Sequence, residues 1–130
     1  MTNKSKTVNL DLLDTALKSL EEALAIPEPT LIERDGCIQR FEYTFELSWK
    51  TLKKYFLFNQ NLDESSVKNL FREAGKQNLI DSVEQWFEFL NARNLTSHTY
   101  QAEAAAKVYE ASKAFAPKCR KLVQTLKELI

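Results

Sequence analysis

The amino-acid sequence predicts an all-α protein, an antiparallel four-helix bundle with one short extra helix in the middle connection. Three observations point there. Apolar residues recur at alternating steps of three and four along most of the 130-residue chain, the spacing that aligns one face of an α-helix. The whole chain has two glycines and three prolines, too few turn-makers for a many-stranded fold. Two short boxes, Thr30 with Glu33 and Asp81 with Glu84, carry the polar-then-acidic spacing that opens helices.

Residues 1–8 read as a polar tail, and residues 9–130 as a single domain, because a chain this long buries enough surface for one core and no more. Leu10, Leu13, Leu17, Leu20 and Leu24 form the stripe of a first helix that closes before Pro27 and Pro29. A second helix starts at the Thr30 box and runs from about residue 31 to 59, with Ile38, Phe41, Phe45, Trp49, Leu52 and Phe56 on one side. After a polar break, Val67, Leu70, Phe71 and Ala74 make a short third helix ending near Gly75. The Asp81 box opens a fourth helix with Val83, Trp86, Phe87 and Leu90 on one face. A last long pattern, from Ala105 through Val108, Phe115, Cys119 and Leu122 to Leu129, contains Pro117, which is expected to kink or break it.

Composition removes several function classes. No unbroken apolar run exceeds four residues, so neither a membrane span nor a secretory signal fits. Gly36 and Gly75 cannot write a phosphate-cradling glycine loop. With one histidine and two cysteines outside any CxxC pair, no zinc site can be assembled in one chain, and neither a metal nor a cofactor is expected. Both cysteines read as reduced, placing the protein in the cytoplasm. Net charge is zero, without the global positive field of a generic nucleic-acid binder. The charge is uneven, however: residues 1–35 carry four basic and seven acidic groups, residues 101–130 six and three. Lys113, Lys118, Arg120, Lys121 and Lys127 would therefore give a modest basic face, unless they are simply a solvated helix surface.

Two features stand apart from the core pattern. Tyr43, Leu47 and Phe58 lie nearly opposite the main stripe of the second helix, and a helix with two apolar faces has two neighbours to bury them against; the second is expected to be another copy, making a homodimer. At the end of the fourth helix, the apolar stripe continues by helical spacing into Arg93/Asn94 and then Ser97/His98. Such a breach marks a candidate site. Asn94, Thr96, Ser97 and Thr99 are weak helix formers, so the helix should end here, with Ser97 or Thr99 capping the next one. His98, the chain's one histidine, then stands at a helix start as a candidate general base. The plainer alternative has Arg93 pairing a carboxylate and His98 satisfying backbone groups. Glu46 with Lys50 reads as a surface ion pair one turn apart, in preference to acid/base chemistry by Glu42 and Glu46.

The stretch Arg93-Asn94-Leu95-Thr96-Ser97-His98-Thr99-Tyr100 resembles the signature of the HEPN superfamily, an Arg, a polar residue next, and a His four to six positions after the Arg. The following Thr-Tyr matches the Arg-x4-His-x-Tyr version of HepT-like proteins. Ile38 to Lys50 is similar to the second helix of nucleotidyltransferase substrate-binding proteins. The resemblance implies a dimer paired with a minimal nucleotidyltransferase encoded nearby. It further implies a metal-independent ribonuclease, the toxin of a toxin–antitoxin pair, acting on RNA through Arg93, Asn94 and His98 at a dimer cleft. Tyr100 would be the residue to which the partner attaches AMP, switching the cleft off. The alternative is a non-catalytic substrate-binding or target subunit of the nucleotidyltransferase.

Overall fold

The computed structural model describes residues 8–130, so residues 1–7 of the expected polar tail lie outside the described residues. Val8 itself is buried in the core. Helix α1 (Asp11–Leu24) buries Leu13, Ala16, Leu17 and Leu20. Its link to the next helix passes through Pro27–Glu28–Pro29, with Glu28 in the left-handed region at φ 49°. Helix α2 (Leu31–Gln60) opens on a complete capping box: the Thr30 hydroxyl accepts from the Glu33 N–H at 3.1 Å, and the Glu33 carboxylate accepts from the Thr30 N–H at 2.9 Å. It ends where Asn61 turns left-handed at φ 52°. Helices α3 (Val67–Lys76) and α4 (Val83–Leu95) follow, then one 3-10 turn (Thr96–His98) and helix α5 (Ala102–Leu129). The long helices α1, α2, α4 and α5 make the antiparallel bundle, with α3 in its middle connection.

Several local expectations are corrected. Helix α3 does end near Gly75, at Lys76, but Gly75 is not the residue that closes it: it lies within the helix, where an added Cβ would come within 2.3 Å of Val83 Cγ2, and its role is to let α3 approach α4. The left-handed residue that closes α3 is Asn78, at φ 60°. The N–H groups of Asn78 and Leu79 reach back to the carbonyls of Gly75 and Ala74, which satisfies the last turn. The fourth helix is capped by Ser82, whose hydroxyl accepts from the Gln85 N–H at 3.1 Å, while Asp81 instead binds Lys118 and Lys121. The buried face of α4 is Trp86, Phe89 and Ala92, with Val83, Phe87 and Leu90 half-buried beside it. Neither Ser97 nor Thr99 caps α5; its N-cap residue is Gln101, without a side-chain cap bond. Pro117 does not interrupt α5. The proline is exposed, so the carbonyl it leaves without a helical donor faces the solvent side, where water can satisfy it.

The centre of the bundle is aromatic. Phe41 and Phe45 of α2, Phe71 of α3, Trp86 and Phe89 of α4 and Phe115 of α5 are all at most 2% exposed. Their rings meet mostly edge to face, as in Phe41 with Phe115 at 5.2 Å and Phe89 with Phe115 at 5.3 Å, the arrangement that ring quadrupoles favour. Towards α5, α2 presents the small buried residues Thr44 and Ser48; the Ser48 hydroxyl donates to the Thr44 carbonyl at 2.9 Å and lies 3.4 Å from Cys119 Sγ.

The five C-terminal cations that offered either a basic face or a solvated helix surface are each paired with a carboxylate. Arg120 donates from Nε and Nη2 to both oxygens of Glu21 and from Nη1 to Asp14 at 2.6 Å, binding α5 to α1. Lys127 also reaches Asp14, Lys118 and Lys121 share Asp81, and Lys113 pairs with Glu110. Two of the α5 bases, Arg120 and Lys127, thus find their partners in the α1 acids Asp14 and Glu21. No helix among the described residues is long and apolar enough to cross a membrane.

Candidate functional site

The junction between α4 and α5 is shaped by three hydroxyls that each turn back onto the chain. Thr96 Oγ1 donates to the Arg93 carbonyl at 2.7 Å, Ser97 Oγ to that of Asn94 at 3.4 Å, and Thr99 Oγ1 to that of Thr96 at 3.3 Å. Side chains that compete this way for backbone acceptors close a helix, and here the α-helix tightens into the 3-10 turn Thr96–His98 before the chain re-enters a helix at Ala102. His98 ends that turn, three residues before the α5 N-cap, rather than opening α5 as the sequence suggests.

The four residues singled out in the sequence divide into two groups. Asn94, His98 and Tyr100 are exposed; Tyr100 is 79% accessible, and its ring stands edge-on to the His98 ring with centroids 6.1 Å apart. Arg93 is half-buried and turns towards α2, where its Nε donates to Glu46 Oε2 at 3.0 Å and its Nη1 lies 3.7 Å from Glu42 Oε2. No hydrogen bond or ion pair joins Arg93 to His98 among the described residues. The guanidinium borders an open groove of about 510 Å³ lined by Gln39, Glu42, Tyr43, Glu46, Leu47 and Lys50 of α2.

Glu46 is therefore not the partner of Lys50. It belongs to Arg93, 47 positions away, and the Lys50 ammonium sits 5.8 Å from the ring centre of Trp49. The plainer expectation that Arg93 pairs a carboxylate is what the structure shows. Glu42 and Glu46 are the site neighbours that sequence reasoning passed over. Their one-turn spacing was visible, but only the packing of α4 across α2 says which cation they meet.

Other chemistries find little support. Burial pushes the Cys119 thiol up to about 12 and raises that of Cys37 as well, so neither supplies a thiolate nucleophile at neutral pH. Among the described residues no three His, Cys, Asp or Glu side chains gather as a metal-binding cluster.

Comparison with known proteins bears on what such a bundle is. Residues 8–128 match the family model described as nucleotidyltransferase substrate binding protein like. The chain belongs to that family. Among its relatives is a Haemophilus influenzae protein named "Probable ribonuclease HepT", 34% identical over 126 residues, covering 84% of this chain and 83% of the relative. A crystal structure from Thermus thermophilus superposes with a TM-score of 0.83 at 31% identity, covering 88% of this chain and 98% of that one. A second structure, from Haemophilus influenzae, was solved as the fold of a substrate binding domain of a nucleotidyltransferase. It superposes with a TM-score of 0.81 at 31% identity, over 92% of this chain and 99% of that chain. In this chain Arg93, at the end of α4, and His98 and Tyr100, before α5, lie at one junction.

Proposed function

We propose that this protein is a HepT-like HEPN ribonuclease, the toxin of a pair formed with a minimal nucleotidyltransferase encoded nearby. The observation that carries the reading is that Asn94, His98 and Tyr100 face solvent at a helix junction beside the half-buried Arg93, in a chain 34% identical to a probable ribonuclease HepT. Its residue types suit metal-independent RNA cleavage. His98 takes the proton from a ribose 2′-hydroxyl, and the freed oxygen attacks the adjacent phosphorus. Arg93 donates to the phosphate oxygens as charge grows on them, Asn94 helps hold the phosphate, and the 5′-oxygen leaves with a proton from water or a second imidazolium.

The site is composite in this reading, completed by a second copy. Two observations support a homodimer: nothing joins Arg93 to His98 within one described chain, and the outer side of α2 exposes Tyr43 and Phe58. That side is also acidic at Glu42 and Glu46 and basic at Lys50 and Lys54, so two copies crossing antiparallel would set opposite charges against each other. Tyr100 is the residue the nucleotidyltransferase modifies with AMP, a role its exposed hydroxyl suits. A nucleotide phosphate beside His98 would occupy the space an RNA phosphate needs.

A second reading, a non-catalytic subunit that presents substrate to the nucleotidyltransferase, is favoured by the ion pair that already engages Arg93. Expression of the chain with and without the neighbouring gene, together with RNA cleavage by the purified protein, tests between them. Growth arrest relieved by the neighbour and cleavage in vitro are expected. A pure, folded protein that neither arrests growth nor cleaves RNA leaves the binding-subunit reading standing instead.

A further inference from the structure

Deepening the ribonuclease reading, on which it rests, we infer that Glu46 is a positioning residue that holds the Arg93 guanidinium with the outer edge of its fork free for an RNA phosphate. A guanidinium carries five N–H donors in a rigid plane. Here one of them, on Nε, is committed to Glu46 Oε2 at 3.0 Å. The nearest other carboxylate, Glu42, stands 3.7 Å from Nη1, beyond a hydrogen bond, and no other acceptor binds the Arg93 side chain among the described residues. Glu46 thus grips the fork from the stem side and leaves the terminal N–H groups to the groove.

The grip comes from a rigid support. Glu46 follows Phe45, which is fully buried in the aromatic centre and 6.5 Å from the Trp86 ring of α4. The packing that sets α4 against α2 therefore also sets the carboxylate opposite Arg93. An arginine stem has several rotatable bonds, and a charge-assisted bond at Nε removes much of that freedom before substrate arrives. The two side chains are about equally sheltered, 30% exposed for Glu46 and 29% for Arg93. The carboxylate also repels the phosphate it helps to orient. Its removal should accordingly loosen geometry while easing ground-state binding, a combination that a purely structural role does not produce.

Steady-state cleavage of one RNA by wild type, E46A, E46D and E46Q tests this. E46A is expected to lose about tenfold or more in kcat with KM unchanged or lower. E46D keeps the charge but withdraws the oxygen by one methylene, and should lose kcat similarly; it also serves if E46A does not fold. E46Q retains an oxygen that accepts from Nε, and should recover most of the loss. If E46A and E46D cleave as fast as wild type, or E46Q is as impaired as E46A, the positioning role is wrong while the ribonuclease reading stands. A wild type without any cleavage overturns the ribonuclease reading and the role of Glu46 with it.

Discussion

Asp14 on α1 is the acid on which the clasp between α1 and α5 converges, and its neutralisation has a calculable consequence. Its carboxylate receives Arg120 Nη1 at 2.6 Å and Lys127 Nζ at 3.2 Å, with Lys18 at 3.7 Å. The Arg120 hydrogen bond, opposed by desolvation and aided by Lys127, holds the Asp14 carboxyl at about 2 instead of 3.8. At about 1.36 kcal/mol per pKa unit, that difference of about 1.8 units sets an upper bound near 2.4 kcal/mol. Asp14 is 17% exposed but Lys127 is 52% exposed, and solvent screening lowers the expected contribution to about 1–2 kcal/mol. The sign follows from the lowered folded value: the contribution is complete above about pH 5 and disappears as pH falls from about 4 through about 2. Asp14→Asn removes the charge with little change of shape. Urea unfolding followed by circular dichroism should show the variant about 1–2 kcal/mol less stable at pH 7, with the two proteins converging near pH 2. A difference that persists undiminished at pH 2 would assign the effect to packing, and no difference at pH 7 would refute the ion-pair argument outright.

His98→Ala removes an exposed side chain with no hydrogen bond among the described residues, so unfolding free energy should change by less than about 1 kcal/mol while cleavage falls about 100-fold or more; equal cleavage removes His98 from the mechanism. Incubation with the nucleotidyltransferase and ATP should add the mass of AMP to wild type and leave Tyr100→Phe unmodified, and a fully modified variant rules out Tyr100 as acceptor. Gly75→Ala would normally favour a helix by about 1 kcal/mol, but the 2.3 Å approach to Val83 Cγ2 should make it destabilising by about 1–3 kcal/mol in thermal unfolding. Light scattering at micromolar protein should report a dimer, and a monomer there dismisses the composite cleft.

The periodic parts of the chain were legible because a helix repeats its face every three or four residues, whatever it later packs on. The boundaries of α2 at the Thr30 box and of α1 before Pro27 follow from groups within a few residues of each other. Where the reading slipped, two local signals competed. Asp81 and Ser82 both fit the cap of α4, and the salt bridges to Lys118 and Lys121 drew Asp81 away. Gly75 marks the end of α3 to within a residue, but the left-handed residue that closes the helix is Asn78, and the missing side chain of Gly75 serves contact with Val83. On α4 the expected face Val83/Trp86/Phe87/Leu90 and the observed one Trp86/Phe89/Ala92 share Trp86 and differ by a small rotation, which the Phe45 and Phe115 rings facing the helix select.

The sequence by itself determined that the chain is helical, where most of its helices begin and end, and that the α4–α5 junction carries Arg93, Asn94, His98 and Tyr100 on polar, hydroxyl-rich backbone. These depend on interactions spanning at most a few residues. The tertiary structure decided the partners of charge: Arg93 with Glu46 of α2, Arg120 and Lys127 of α5 with the acids of α1, and Lys118 and Lys121 with Asp81. Ion pairs between helices depend on the rotation of each helix about its axis. That rotation is set by the close packing of buried rings, which no single segment contains.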